Sequence, residues 1–228
     1  MESHCLRHDR LPGSSRLLLD YVYRFENLAS FYTHAPYAPD SLAKAADAIS
    51  FPSERRKGIV QALASQNPGS PLLDKLSLDG TVAIATGQQV GYLGGPAYTI
   101  FKALTAVRVA ESMEAGGVPA VPVFWLASED HDLAEVDHAW LFDGDRQPVR
   151  YQAEPKATNG IQAGSRPVGY RPAPAPRRGE LERIFAHLPF GDEVAALAAE
   201  AYLEGRTYAQ AFRHLVECIL GRHRVLFR

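Results

Sequence analysis

Cysteine is scarce, with only Cys5 and Cys218 in 228 residues. They stand far apart and form no CxxC or other metal-ligand spacing, which removes a disulfide framework and a structural zinc site from consideration. An excess of one charge is lacking too. The 24 basic and 26 acidic residues leave a net charge of −2, so nothing announces a nucleic-acid or membrane partner. No run approaches the ~20 apolar residues of a membrane span. The opening MESHCLRHDRLPG has no apolar core of a secretory signal, and the expectation is a cytoplasmic protein. What is present is apolar bulk: 46% hydrophobic residues, enough for the packed core of one large domain or two small ones.

The first 80 residues read as a helical segment packing on the core. Residues 16–32, 40–49 and 53–66 carry apolar side chains three and four apart, punctuated by Pro36, Pro39, Pro52 and Pro68. VAIAT (82–86) is a continuous apolar run, as expected of a strand covered on both faces. Pro96 suits a first helical position, and Ile100, Phe101, Leu104, Val107, Ala110 and Met113 predict one buried stripe ending at Gly116-Gly117. VPAVPVFWLA (118–127) follows as a second strand, so 81–145 forms a strand–helix–strand unit with parallel strands ending at one edge. Residues 133–153 read as shorter extended pieces. The stretch 154–178 is rich in Pro, Gly, Arg and Ala, and 146–190 is read as an insertion. Within it, RPAPAPRR (171–178) reads as a solvated loop. Helices return at 179–188, 192–203 and 207–220, the last capped by Thr207, before RVLF (224–227), an apparent strand. The span 191–228 is thus expected to return to the core. A buried parallel strand is normally followed by another crossover, which suggests the amino-terminal portion of a longer protein, with RVLF presenting an open edge. The fold class is therefore α/β, with a Rossmann-like parallel sheet core.

In open parallel sheets ligands bind beyond the carboxyl ends of the strands, and two segments lie there. In TGQQVGYLGGP (86–96), Gly87, Gly91, Gly94 and Gly95 permit tight turns, and the following helix offers free N–H groups to a phosphate or carboxylate. Lys102 adds a charge, while Gln88 and Gln89 supply donors and acceptors. The pattern matches neither GxGxxG nor GxxxxGK[ST], so a plain structural turn stays open beside ligand binding. In SEDHD (128–132), Glu129, Asp130, His131 and Asp132 adjoin one another, with Glu135 a turn later. Close carboxylates beside an imidazole suit proton transfer, or a divalent ion, while Ser128 or Asp130 capping a short helix is the plainer account. His138, His187, His214 and His223 read as ordinary histidines. Trp125 and Tyr98 suit stacking on an adenine or sugar, although aromatic residues in apolar runs usually belong to the core.

TGQQVGYLGGPAYTIFKALTAVRVA (86–110) and VPVFWLASEDHDLAEVDH (121–138), in this order and separation, together with RPVG (166–169), resemble the cysteine-adding enzymes, or cysteine ligases, of bacillithiol biosynthesis. Tyr92 and Leu133 depart from the family's leucine and aromatic residue, each keeping apolar bulk. The resemblance implies a Rossmann-type core similar to class I aminoacyl-tRNA synthetases, with connecting-peptide insertions and a helical coiled-coil region supporting a homodimer in full-length members. It implies a ligase joining L-cysteine to the amino group of glucosaminyl-malate, with ATP, and Mg2+ accompanying it, activating the carboxylate. Carried onto this chain, Thr86, Gly87, Gln88, Gln89, Gly91, Gly94, Gly95, Tyr98, Lys102 and Glu129 would bind nucleotide or substrate. Asp130, His131 and Asp132 would orient the ammonium group of cysteine or accept a proton from the attacking amine. The alternatives from other classes are a metal-dependent hydrolase using SEDHD as ligands, and a noncatalytic interaction module.

Overall fold

A computed structural model describes residues 4–38, 40–152, 166–221 and 224–228. Pro39, His223 and the part of the irregular stretch from 154 to 165 lie outside the described residues. Before the first strand come α1 (Arg16–Tyr23), α2 (Ser41–Asp47), α3 (Ser53–Ala64) and α4 (Pro71–Ser77). The central unit is β1 (Val82–Gln89), α5 (Tyr98–Ala115) and β2 (Ala120–Ala127), followed by β3 (Ala139–Phe142) and β4 (Pro148–Tyr151). Then come α6 (Arg178–Phe185), α7 (Gly191–Ala201), α8 (Tyr208–Leu220) and β5 (Leu226–Phe227). The sheet order is β1-β2-β5, all parallel, while β3 and β4 form a separate antiparallel pair. The chain is thus an α/β protein with a Rossmann-like parallel core.

Register explains the two sides of the sheet. Val82 pairs with Ala120 and Gln89 with Ala127, so β1 and β2 end together as expected. Phe124 and Phe227 face α8, where Phe212, Leu215 and Val216 join them in the largest core cluster. Both phenylalanine rings lie 6.1 Å from a partner ring, and burying each stabilises the fold by about 1.5–3 kcal/mol. On the opposite face Val121 and Leu226 pack against Leu63 of α3 and Leu76 of α4. That cover reaches β2 but not all of β1: Ala83 and Ala85 are exposed. The expectation of a first strand covered on both faces is corrected, because α3 and α4 sit over the middle of the sheet.

The buried stripe of α5 also differs from expectation. Thr99, Ala103, Ala106, Val107, Ala110 and Met113 are buried, whereas Phe101 is 66% and Leu104 37% exposed. Small side chains let the helix approach the strands closely, so the alanine face wins over the bulkier one. Pro96 stands before the helix rather than in it, accepting a hydrogen bond from Thr99 N at 2.9 Å.

The 16–32 helix stops at Tyr23. Asp20 accepts from Arg24 Nε (2.7 Å) and Asn27 Nδ2 (3.3 Å), fixing a 3-10 turn over Phe25–Leu28 that brings Tyr21 and Tyr32 together at 5.0 Å. At α8 the cap is as read: Thr207 Oγ1 accepts from Gln210 N, and Gln210 Oε1 accepts from Thr207 N at 2.9 Å. The end strand is not an open edge at Phe227. Arg228 pairs with β2 through Phe124 O and Leu126 N, while Phe227 N and O, pointing the other way, both bond the buried Asn67 amide at 2.8 Å. Among the described residues no helix is long and apolar enough to cross a membrane.

Candidate functional site

Two connections meet beyond the carboxyl ends of β1 and β2. β1 runs three residues further than VAIAT, so Gly87, Gln88 and Gln89 are strand residues. Gly87 lies opposite Trp125, where a Cβ would come within 2.8 Å of Trp125 O.

The loop from Val90 to Pro96 is tight and internally bonded. Gly94 N donates to Gly91 O (3.1 Å) and Gly95 N to Tyr92 O (3.0 Å). Tyr92 N reaches across to Val136 O at 2.8 Å. Leu93, Gly94 and Gly95 all hold positive φ, and at Gly91 a Cβ would lie 2.7 Å from Gly95 Cα, so glycine is required there. The fully buried Tyr202 hydroxyl of the turn after α7 donates to Gly91 O (3.2 Å) and accepts from Gly94 N (3.4 Å). Burial pushes this phenol well above its ordinary pKa, keeping it a neutral donor. Sequence reasoning missed Tyr202, which carries no motif of its own.

The second connection, 128–138, contains no helix, so neither Ser128 nor Asp130 caps one. Asp130 Oδ1 instead accepts from Asp132 N at 3.1 Å, closing a turn, and Asp132 Oδ1 accepts from Glu135 N at 3.4 Å. RPVG supports it from outside: Val168 N donates to Asp130 O and Gly169 N to Ser128 O. Gln89 joins the two connections, its Nε2 donating to Asp130 Oδ2 (2.5 Å) and Glu135 Oε2 (2.7 Å). The Gln89 bond, then that from Asp132 N, holds the Asp130 carboxyl below its ordinary pKa.

Between them opens a cavity of about 520 Å³ lined by Gln88, Gln89, Gly91, Gly95, Pro96, Ala97, Tyr98, Glu135, Val136, His138, Ala139 and Trp140, within the size range of ligand sites. Of the expected residues, Gln88, Gln89, Gly91, Gly95 and Tyr98 line it directly. Asp130 reaches it through Gln89, and Lys102 stands behind Gln88, donating to Oε1 at 3.1 Å. Thr86, Gly87, Gly94, His131 and Asp132 lie outside the lining. His131 and Asp132 are exposed, and Glu129 turns away to accept from Trp125 Nε1 at 3.4 Å. Tyr98 (54% exposed) and Trp125 (49%) are not core residues, contrary to expectation. The carboxyl edge of the sheet leaves them without cover. His138, Trp140 and the flanking aliphatic wall were not foreseen as site residues.

The cavity has two electrical ends. At one, the amides of Ala97 and Tyr98 begin α5 with no acceptor among the described residues, and Thr99 Oγ1 just behind them is buried and unpartnered. The partial positive charge of a helix start favours an anion there. At the other, Glu135 and Asp130 share one amide donor, leaving acceptor capacity for a cation. Among the described residues no three His, Cys, Asp or Glu side chains converge as a metal-ligand set.

These features define a Rossmann-like α/β domain with a small-molecule cavity at the carboxyl end of its parallel strands. Comparison with known proteins gives the family. Residues 1–227 match the family described as bacillithiol biosynthesis BshC, N-terminal Rossmann-like domain, and the chain belongs to it. A protein of Solibacter usitatus named "Putative cysteine ligase BshC" is 42% identical over 97% of the chain and 41% of its own length. Same-named proteins of Koribacter versatilis and Geobacillus kaustophilus are 31% and 26% identical, each over 96% of the chain and 41% of their own length. The chain therefore spans about two fifths of the length of these relatives.

Proposed function

We propose that the chain is the substrate-activating part of a cysteine ligase, which joins the carboxyl group of L-cysteine to the amino group of glucosaminyl-malate. The observation that carries this reading is the opposed polarity of the cavity. An α-amino acid has an anionic and a cationic end a few ångströms apart. The start of α5 suits a carboxylate or phosphate, and the Glu135–Asp130 side suits an ammonium group. Tyr98 and Trp140 add aromatic faces on which a sugar or purine ring stacks.

Forming an amide from a free carboxylate requires activation, which ATP supplies when bound. The residues present fit its phosphates: Ala97 and Tyr98 N–H, Thr99 Oγ1 and, behind them, Lys102. Donors aimed at developing negative charge stabilise the transition state of acyl transfer. Asp130, with Glu135, would orient the ammonium group, and the exposed His131 and Asp132 would act at the mouth of the site, accepting protons as substrates enter. In the relatives' full length a homodimer is the proposed assembly.

The test is cysteine-dependent exchange of pyrophosphate into ATP, followed by amide formation with glucosaminyl-malate, using the intact gene product. Cysteine-dependent exchange and a cysteinyl product are expected. A protein that forms no amide under any nucleotide condition refutes the reading. Glu135→Gln is expected to raise the KM for cysteine about 10-fold while leaving the fold intact by circular dichroism.

A further inference from the structure

His138 lies outside the SEDHD cluster, and its sequence context gives it no company, yet it lines the cavity wall. Its Nδ1 lies 3.0 Å from Asp137 Oδ1, and the ring stands edge-on to Trp140 at 6.2 Å. Asp137 is itself held from β4 and the residue after it: Arg150 Nη2 donates to Oδ1 (3.3 Å) and Gln152 Nε2 to Oδ2 (2.5 Å). Both members of the pair are largely shielded, with side-chain exposures of 18% for His138 and 22% for Asp137. Val136, two residues before, is fastened to the glycine loop through Tyr92 N. The pair is therefore anchored on two sides rather than carried on a free loop.

A carboxylate at Nδ1 favours the tautomer with its proton on Nδ1. That leaves the lone pair on Nε2, which has no partner among the described residues. An imidazole oriented by a carboxylate, at the wall of a ligand cavity, has the arrangement of a general base.

We propose that His138 is the catalytic base of acyl transfer, with Asp137 its positioning residue. The proposal rests on the ligase reading. The amine nitrogen attacks the carboxyl carbon of an acyl phosphoric anhydride, and the C–N bond forms. The proton released from that nitrogen passes to His138 Nε2, and the C–O bond to the phosphoryl oxygen breaks with its electron pair leaving on that oxygen. The base returns its proton to solvent between turnovers. The charged groups around the ring are Asp137 and Glu135 on its own segment and Arg150 on β4. The Tyr208 phenol of α8 lies near enough to Asp137 for its ionisation to be opposed by that charge.

Two measurements on the intact protein test this. In the first, His138→Ala and the bulk-preserving His138→Gln lower kcat at least about 100-fold. The KM for cysteine stays within about 3-fold, and added imidazole restores part of the rate to His138→Ala. Asp137→Asn lowers kcat less and shifts the pH profile, an effect that purely structural packing would not produce. An unchanged kcat in both His138 variants, with the fold verified by circular dichroism, overturns the proposal. The second needs no turnover: nitrogen NMR of the histidine rings with glucosamine as probe. The amine is expected to move the His138 Nε2 resonance in the wild type, and this overturns the proposal if no movement occurs at saturating probe. A wild type that makes no amide, while His138 still responds to glucosamine, refutes the ligase reading and leaves the amine contact standing.

Discussion

The loop that leaves β1 and the connection that leaves β2 meet at Gln89 but are built on opposite principles. In the first, Gly91, Tyr92 and Gly94 are buried, and most of its amides bond within the protein. Its contribution to the cavity is shape, together with the exposed start of α5. The second presents Glu129, His131, Asp132 and Glu135 to solvent and is tied by side-chain bonds as well as backbone ones. Its contribution is charge. A site of this kind keeps its geometry on the stiff side and its ionisable groups on the side where solvation is retained, which avoids burying charges at great cost.

The largest effect that breaks this contrast is expected from glycine at the contact points. Gly91→Ala places a Cβ 2.7 Å from Gly95 Cα, and Gly169→Ala one 2.3 Å from Ser128 Cβ. Each is expected to cost about 3 kcal/mol in chemical denaturation, because backbone rather than a flexible side chain must move. Tyr202→Phe comes next. It removes the hydroxyl shared by Gly91 O and Gly94 N, with an expected loss of about 1–2 kcal/mol and a correspondingly lower Tm.

On the charged side, Gln89→Leu removes the amide between Asp130 and Glu135. Stability should change by no more than about 0.5 kcal/mol, since these groups are solvated. The affinity for cysteine, followed by calorimetry, is expected to fall about 10-fold. The smallest effect is one of pH. Because the folded Asp130 carboxyl titrates below its ordinary value, its contribution is fully present above the unfolded pKa of about 4 and is lost as pH falls through the lower folded value. Carbon NMR of Asp130 should show that depressed titration in the wild type and a rise toward the ordinary value in Gln89→Leu. An identical titration in both would separate Gln89 from the effect.

The sequence made the strand–helix–strand unit legible because apolar runs, Gly116-Gly117 and the Thr207 cap are local signals. It also placed both site segments at one sheet edge, since parallel strands joined by a helix must end together. What it hid depends on contacts distant in the chain. Trp125 and Tyr98 sit in apolar runs, but their exposure follows from what fails to cover the sheet edge. The α5 stripe was assigned by hydrophobicity, whereas close approach to the sheet selected alanines. His138 gained its meaning from Asp137, Arg150 and Gln152, a grouping set by the β3–β4 pairing.

Asn67 deserves a last consequence. Its amide presents one donor and one acceptor to Phe227 at the spacing a neighbouring chain would offer, so a single side chain mimics the strand that would otherwise lie there. A further strand pairing at this position would have to displace the Asn67 side chain from both bonds.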